Sequence, residues 1–314
     1  MQIAYNLTKL HQSAGGSSWV TEYTYDKDNR PVTVKVNGKT ITDSYNATGT
    51  RSSRVYGFAT PYTVSFGYLA GANGSKTTML QSYRNGSDAA YTYTYDNNGN
   101  VTAISQGTKS AAYTYDALNQ LTRVNDGFTN KTTTYTYDKA NQLVSSKNAD
   151  GKVTKYEYDA AGRMVKEGEK TFAYGWLDKV MQVAENGKTT QSYSYDISGQ
   201  LATADYGGSK ETFLWDGLAL LSRNNLKYVN EPAVTGGNPI LAGDKMLFDD
   251  MLGNTLGVKD GEKFSAIDRD AFGELKPGEK PNLAVNFFTG KPEVDGLGYS
   301  FLFRNYRADL GKWQ

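Results

Sequence analysis

One tetrapeptide recurs along this chain and limits what it can fold into. YTYD stands at 23–26, 93–96, 113–116 and 135–138, with YEYD at 156–159 and YSYD at 193–196. Weaker copies hold the register: AYN ends at Asn6, SYNATG places Asn46 twenty residues after Asp26, and FGY at 66–68, AYG at 173–175 and FLWDG at 213–217 continue it. The step is mostly 20 to 22 residues, with one of 29 before Asp96 and one of 16 after Asp159. A fixed short period marks a repeat architecture, in which each unit packs on its neighbours. The length of 314 residues therefore does not count domains here.

Each copy has a physical reading. The paired tyrosines are Tyr23 and Tyr25, Tyr93 and Tyr95, Tyr113 and Tyr115, Tyr135 and Tyr137, Tyr156 and Tyr158, and Tyr193 and Tyr195. Residues i and i+2 of a strand share one face, so each pair lines one side of a sheet. The aspartates that follow are Asp26, Asp96, Asp116, Asp138, Asp159 and Asp196. Aspartate opens a type I turn and its carboxylate accepts a backbone N–H two residues on. Three residues later stands Gly or Asn, as at Gly162 and Gly199, which suits a left-handed backbone. An apolar residue then starts the return strand. One unit is thus one β-hairpin with a bulged turn. A lone hairpin is marginal in water, so the units must stack edge to edge into one antiparallel sheet. Cross-strand tyrosine pairs would stabilise that sheet as ladders.

Composition narrows the chemistry. The chain has no Cys, which excludes a thiol nucleophile, a thiolate metal site and a disulfide framework. Its one histidine, His11, lies in the polar stretch KLHQSAGGSS and reads as exposed or loosely packed. Lys and Arg total 34 against 33 for Asp and Glu, so no field draws in nucleic acid or an anionic membrane. No apolar run reaches the roughly 18 residues of a membrane span. The opening MQIAYNLTKL lacks a signal-peptide pattern and reads as beginning inside a repeat.

Candidate sites are few. The carboxylate pairs Asp249/Asp250, Asp268/Asp270 and Glu293/Asp295 are read as turn and surface residues, and the repeated aspartates as turn formers. Asp26-Lys27-Asp28-Asn29 has a calcium-loop look without the remaining ligands. No catalytic, cofactor or metal residues are assigned. From Asn224 to Asp244 the chain carries two prolines, a Gly pair and no repeat motif, which reads as an irregular connector.

The pattern resembles the YD repeat of the Rhs family, which includes teneurin shells and the C component of insecticidal Tc toxins. The later motifs extend the resemblance. They are Asp250 to Asn254, Asp270 to Glu274, the FTGK that ends at Lys291, Gly296 to Tyr299, and Phe303 onward to Trp313. The resemblance implies a spiralling hollow β-shell with a core segment that plugs one end. It also implies a C-terminal toxin or other polypeptide as cargo, and a secreted or cell-surface location. Where the family has Asp-Pro after Tyr306 this chain has Arg307-Ala308, and the sequence ends before the self-cleavage element.

The expectation is an all-β chain: repeat shell over 1–230, core segment over 231–314, non-catalytic, with further repeats or a second copy able to pair at an edge strand near Tyr5. The alternative is an adhesion or glycan-binding repeat module. About eleven or twelve hairpins give a band on the order of 110 Å long, or one ring about 35 Å across. That predicts a curved wall with an open or self-associating end, the segment after Asp244 closing the other end or packing inside.

Overall fold

The computed structural model describes residues 6–14, 17–36, 38–57, 61–128, 130–232, 237–249, 253–261, 263–267, 269, 272–275 and 282–314. Its unit of construction is the aspartate turn. Asp26 Oδ1 accepts the N–H of Asp28 at 2.9 Å and that of Arg30 at 3.0 Å. Asp96, Asp116, Asp138, Asp159 and Asp196 repeat this pair of bonds at 2.8 to 3.0 Å. The second bond, to the residue four positions on, ties down the start of the return strand as well as the turn. The fourth turn residue is left-handed each time: Asn29 has φ 61°, Gly162 79° and Gly199 83°. Only Gly and the short amides take that conformation cheaply.

A register shift precedes each of these turns, between Thr24 and Tyr25, Thr94 and Tyr95, Thr114 and Tyr115, Thr136 and Tyr137, Glu157 and Tyr158, and Ser194 and Tyr195. Such bulges raise local twist. The 29-residue step has its own cause: the hairpin of Tyr62–Ala70 and Lys76–Asn85 is longer than its neighbours.

Consecutive strands pair antiparallel from Lys9–Ala14 through to Lys263–Ala266, giving a 26-stranded meander among the described residues. The turns therefore alternate between two rims, with the aspartate turns on one. Helical structure among the described residues is limited to three short 3-10 turns. Tyr5, the residue expected near the free edge, lies outside the described residues; the described edge strand is Lys9–Ala14.

The sheet curls on itself. Tyr23 on the second strand donates its hydroxyl to Asn230 O at 3.3 Å, and Tyr56 on the fifth donates to Leu247 O at 2.7 Å. A flat sheet would hold Tyr23 and Asn230, twenty strands apart, on the order of 95 Å from each other. The curled face encloses two apolar clusters. One joins Tyr23, Val34, Ile41 and Tyr56 to Val229, Ile240 and Phe248; the other joins strands from Ile104 to Leu220 to Val285, Phe287, Val294 and Leu297. The last four belong to residues 282–314, which carry five short strands forming a second sheet against the wall.

The expected connector is corrected. Leu226–Asn230 and Pro239–Ala242 are paired strands that carry the wall onward, with Tyr228, Val229, Ile240 and Ala242 all fully buried. They lack the Tyr-x-Tyr-Asp signature because both of their faces are covered, and a twice-covered strand reads as an apolar run rather than an alternation.

Candidate functional site: the inner face of the wall

The first tyrosine of each pair points into the core. Tyr23, Tyr113, Tyr135, Tyr156 and Tyr193 are buried, while Tyr93 is half-buried against both clusters. The second stays half-buried near the rim and acts through its hydroxyl. Tyr25, Tyr95, Tyr115, Tyr137, Tyr158 and Tyr195 donate to the carbonyls of Leu7, Leu80, Val101, Leu121, Leu143 and Val180 at 2.6 to 3.0 Å. Each acceptor but Leu80, which sits in the middle of Lys76–Asn85, lies at or near the start of the strand before the tyrosine's own. The bond therefore laces each unit to the one before it, a role that stacked rings alone would not supply.

The weaker repeat copies carry the same rung, although they lack the full Tyr-x-Tyr-Asp motif. Tyr45, Tyr68 and Tyr174 donate to the carbonyls of Pro31, Arg51 and Met164 at 2.7 Å, and Trp215 Nε1 donates to Leu201 O at 2.8 Å. The available signal was positional: an aromatic polar tip one residue before the turn.

Three of the turn carboxylates are further held by side chains. Arg30 bonds Asp26 Oδ2 at 2.7 Å, Arg163 bonds Asp159 Oδ2 at 2.7 Å, and Asn100 bonds Asp96 Oδ2 at 2.8 Å. These side-chain bonds, backed by the backbone N–H groups, hold all three carboxyls below the usual aspartate range.

Where the wall meets residues 282–314 it grips them by main-chain carbonyls. Tyr193 donates to Asp295 O at 2.6 Å and Tyr228 to Ala284 O at 2.7 Å. Arg223, 1% exposed, donates to Leu283 O at 2.7 Å and Glu293 O at 2.9 Å while Glu211 clamps its other edge. Lys179 Nζ reaches Phe301 O at 3.4 Å and also Leu302 O, and Lys291 Nζ reaches back to Leu218 O at 2.9 Å. Burial pushes both lysines down to about 8. Arg307 adds ion pairs to Glu167 and Asp309.

The seam where the wall meets itself is a buried charge clasp. Arg54 forks onto both oxygens of Asp43 at 2.8 Å, reaches Asp249 at 3.2 Å, and pairs with Glu231, which also takes Arg51 at 2.8 Å. Asp249 is thus corrected from a surface residue to a buried one, its carboxyl raised by burial. Its role was not legible because its partners lie some 195 residues away. Asp250, Asp268 and Asp270 lie outside the described residues. Asp295 is exposed and accepts from Gln191, whereas the Glu293 carboxylate, its pKa raised by burial, accepts from Asn286. A cavity of about 340 Å³ between wall and segment is lined by Glu167, Glu274, Glu293 and Asp309 among others. Among the described residues no group of three or more His, Cys, Asp or Glu is placed to hold a metal ion. His11 is exposed on the edge strand.

A laced hairpin wall, clasped at its seam and wrapped on a C-terminal segment, defines a β-shell scaffold. The family model of the teneurin YD-shell matches residues 39–216, and the chain belongs to that family of Rhs/YD-repeat proteins. Solved structures share the fold. One is a Tc holotoxin pore from Photorhabdus luminescens, with a TM-score of 0.57 at 15% identity over 94% of this chain and 20% of that one. A TcdB2–TccC3–TEV crystal structure gives 0.60 at 15% over 94% and 20%. A TcdB2–TccC3 crystal structure gives 0.55 at 16% over 95% and 21%. The chain spans about a fifth of the length of these structures. No curated protein sequence matches it.

Proposed function

We propose that this chain is a non-catalytic shell unit that holds a polypeptide, such as a C-terminal toxin cargo, against its inner face. Residues 1–230 form the wall in this reading and 231–314 the core segment, the sheet itself running through the boundary. The observation that carries it is the grip on carbonyls. Tyr193, Tyr228, Arg223 and Lys179 hold the segment through its backbone, so these four contacts do not depend on the side chains they face. A surface of that kind suits a cargo of variable sequence. The names of the similar structures join TcdB2 to TccC3, and in one case to Cdc42, which favours a polypeptide partner. A location outside the cell or at its surface goes with this proposal. No observation favours the glycan reading, because the tyrosines of the rungs already spend their hydroxyls on the wall.

The test is protection. A protease-labile peptide fused after Gln314 is expected to survive at least tenfold longer than the same peptide on an unrelated β protein. Equal cleavage rates overturn the proposal. Turnover that persists through repurification, and that replacing one aspartate abolishes, overturns its non-catalytic part.

A further inference from the structure

The aspartate-turn rim contains its own control for what a turn tip requires. The two tip residues are Lys27-Asp28, Ala47-Thr48, Asn97-Asn98, Lys139-Ala140 and Ala160-Ala161 in five of the turns. These are polar or small, as solvated turns normally are. Two adjacent turns depart from this. One presents Trp176 at 81% exposure with Leu177 at 37%, and the next presents Ile197 at 97%. Turn geometry does not ask for these side chains: Gly175 and Lys179 close the first turn by a backbone bond of 2.8 Å, and Asp196 closes the second through its carboxylate.

A third loop arrives at the same place. Leu177 Cδ1 and Leu302 Cδ1 lie 3.6 and 3.8 Å from where a Cβ on Gly199 would stand. Lys179 ties the carbonyls of Phe301 and Leu302 to this rim, and the following residue, Phe303, is 83% exposed. Three loops from two sheets thus converge around Gly199 and hold out an indole, a phenyl ring and a branched alkyl chain. Leu118, 65% exposed on the same rim, is a single residue of the kind any surface carries.

The shape and size of the patch choose its occupant. Side chains at 81 to 97% exposure are prongs, not the lining of a groove. A large apolar side chain offers about 150–250 Å², so three prongs present on the order of 500 Å². A standard protein contact takes about 800 Å² on each partner, a little over half of it apolar, and would need a pocket for each prong. A bilayer interface needs no matching pocket and accepts Trp, Phe and Ile at headgroup depth. Charge selects the lipid. Arg163, Lys179 and Arg304 are balanced by Asp159, Asp178 and Asp196, with Arg163 and Asp178 paired at 2.6 Å. No excess of cations is present to favour anionic headgroups.

We propose that this corner of the rim inserts into the interface of a zwitterionic bilayer, docking the shell on a membrane surface through Trp176, Ile197 and Phe303. The test is flotation of the full chain with phosphatidylcholine vesicles. The parent is expected to float. The variant Trp176→Asn/Ile197→Asn/Phe303→Asn is expected to partition at least tenfold less with an unchanged melting temperature. Leu118→Asn, on the same rim, should float like the parent. The proposal fails if the parent stays with the soluble fractions, or if the triple variant floats as well as the parent. Flotation that requires phosphatidylserine overturns it in favour of charge-driven binding. A parent dimer that the triple variant abolishes, without flotation, assigns the patch to a second copy and overturns it too.

Discussion

The wall and the segment inside it are both built of strands, yet they are held by different means. From Ser17–Tyr25 to Lys210–Asp216 the wall uses one device many times: a carboxylate that holds its turn and a hydroxyl that laces the turn to the preceding strand. Every bond of that kind spans fewer than 20 residues. The segment 282–314 and the seam use contacts without a repeat, across 56 to 195 residues: Tyr228 to Ala284, Tyr193 to Asp295, Arg307 to Glu167, Arg54 to Asp249. Local repeated bonds give a wall of any length the same stability per unit. They do not say where the wall should stop curling. The single long-range charge contacts do, because a buried ion pair tolerates only one register.

The largest test of this contrast is Arg54→Met. It leaves Asp249 to Asn238 and Asp43 to Arg51 at the seam, and breaking such a buried pair costs about 3–5 kcal/mol in urea unfolding. The deficit should shrink as the pH is lowered, because Asp249 is already pushed upward by burial and takes a proton first. A loss under about 1 kcal/mol would place the closure of the wall elsewhere.

Next come the turns. Gly162→Val or Gly199→Val forces a branched residue into φ 79° or 83° and should cost about 1–2 kcal/mol. Gly208→Val, where an added Cβ meets nothing within 4 Å and φ is not left-handed, should stay within about 0.5 kcal/mol. Equal melting temperatures for the Gly162 variant and the parent would break the assignment of that turn.

The hydroxyls separate wall from segment most directly. Tyr137→Phe and Tyr193→Phe each delete one hydroxyl, worth about 0.5–1.5 kcal/mol. Tyr137→Phe should speed amide exchange only around Leu121, whereas Tyr193→Phe should speed it in the segment around Asp295. Exchange that rises in the same places for both would show wall and segment opening as one unit.

The last test is a rise of stability with alkaline pH. Lys179 and Lys291 titrate near 8 in the folded chain against an ordinary 10.5, so the unfolded chain binds more protons between those values. Stability should therefore climb from about pH 8 to 10. Above that it should fall, because Tyr23, Tyr115 and Tyr158 are raised to about 12 and the unfolded tyrosines ionise first. Lys179→Met with Lys291→Met should flatten the climb. A climb that survives the double replacement would remove these lysines as its cause.

The wall was legible in the order of the residues. Tyr-x-Tyr-Asp followed by Gly or Asn is a complete local instruction: strand, turn, left-handed residue, return strand. Its physics acts within one hairpin, so the period, the strands and the rim of aspartate turns were legible at Asp26, Asp96, Gly162 and their copies. What lies across the curl was set by packing between distant segments. Asp249 looked like surface until Arg54 was found against it, and Leu226–Asn230 looked like a connector until its second face was covered. The reason is the same for both. Burial belongs to pairs of segments far apart in the chain, and a residue's own neighbours in sequence carry no mark of what will pack against it.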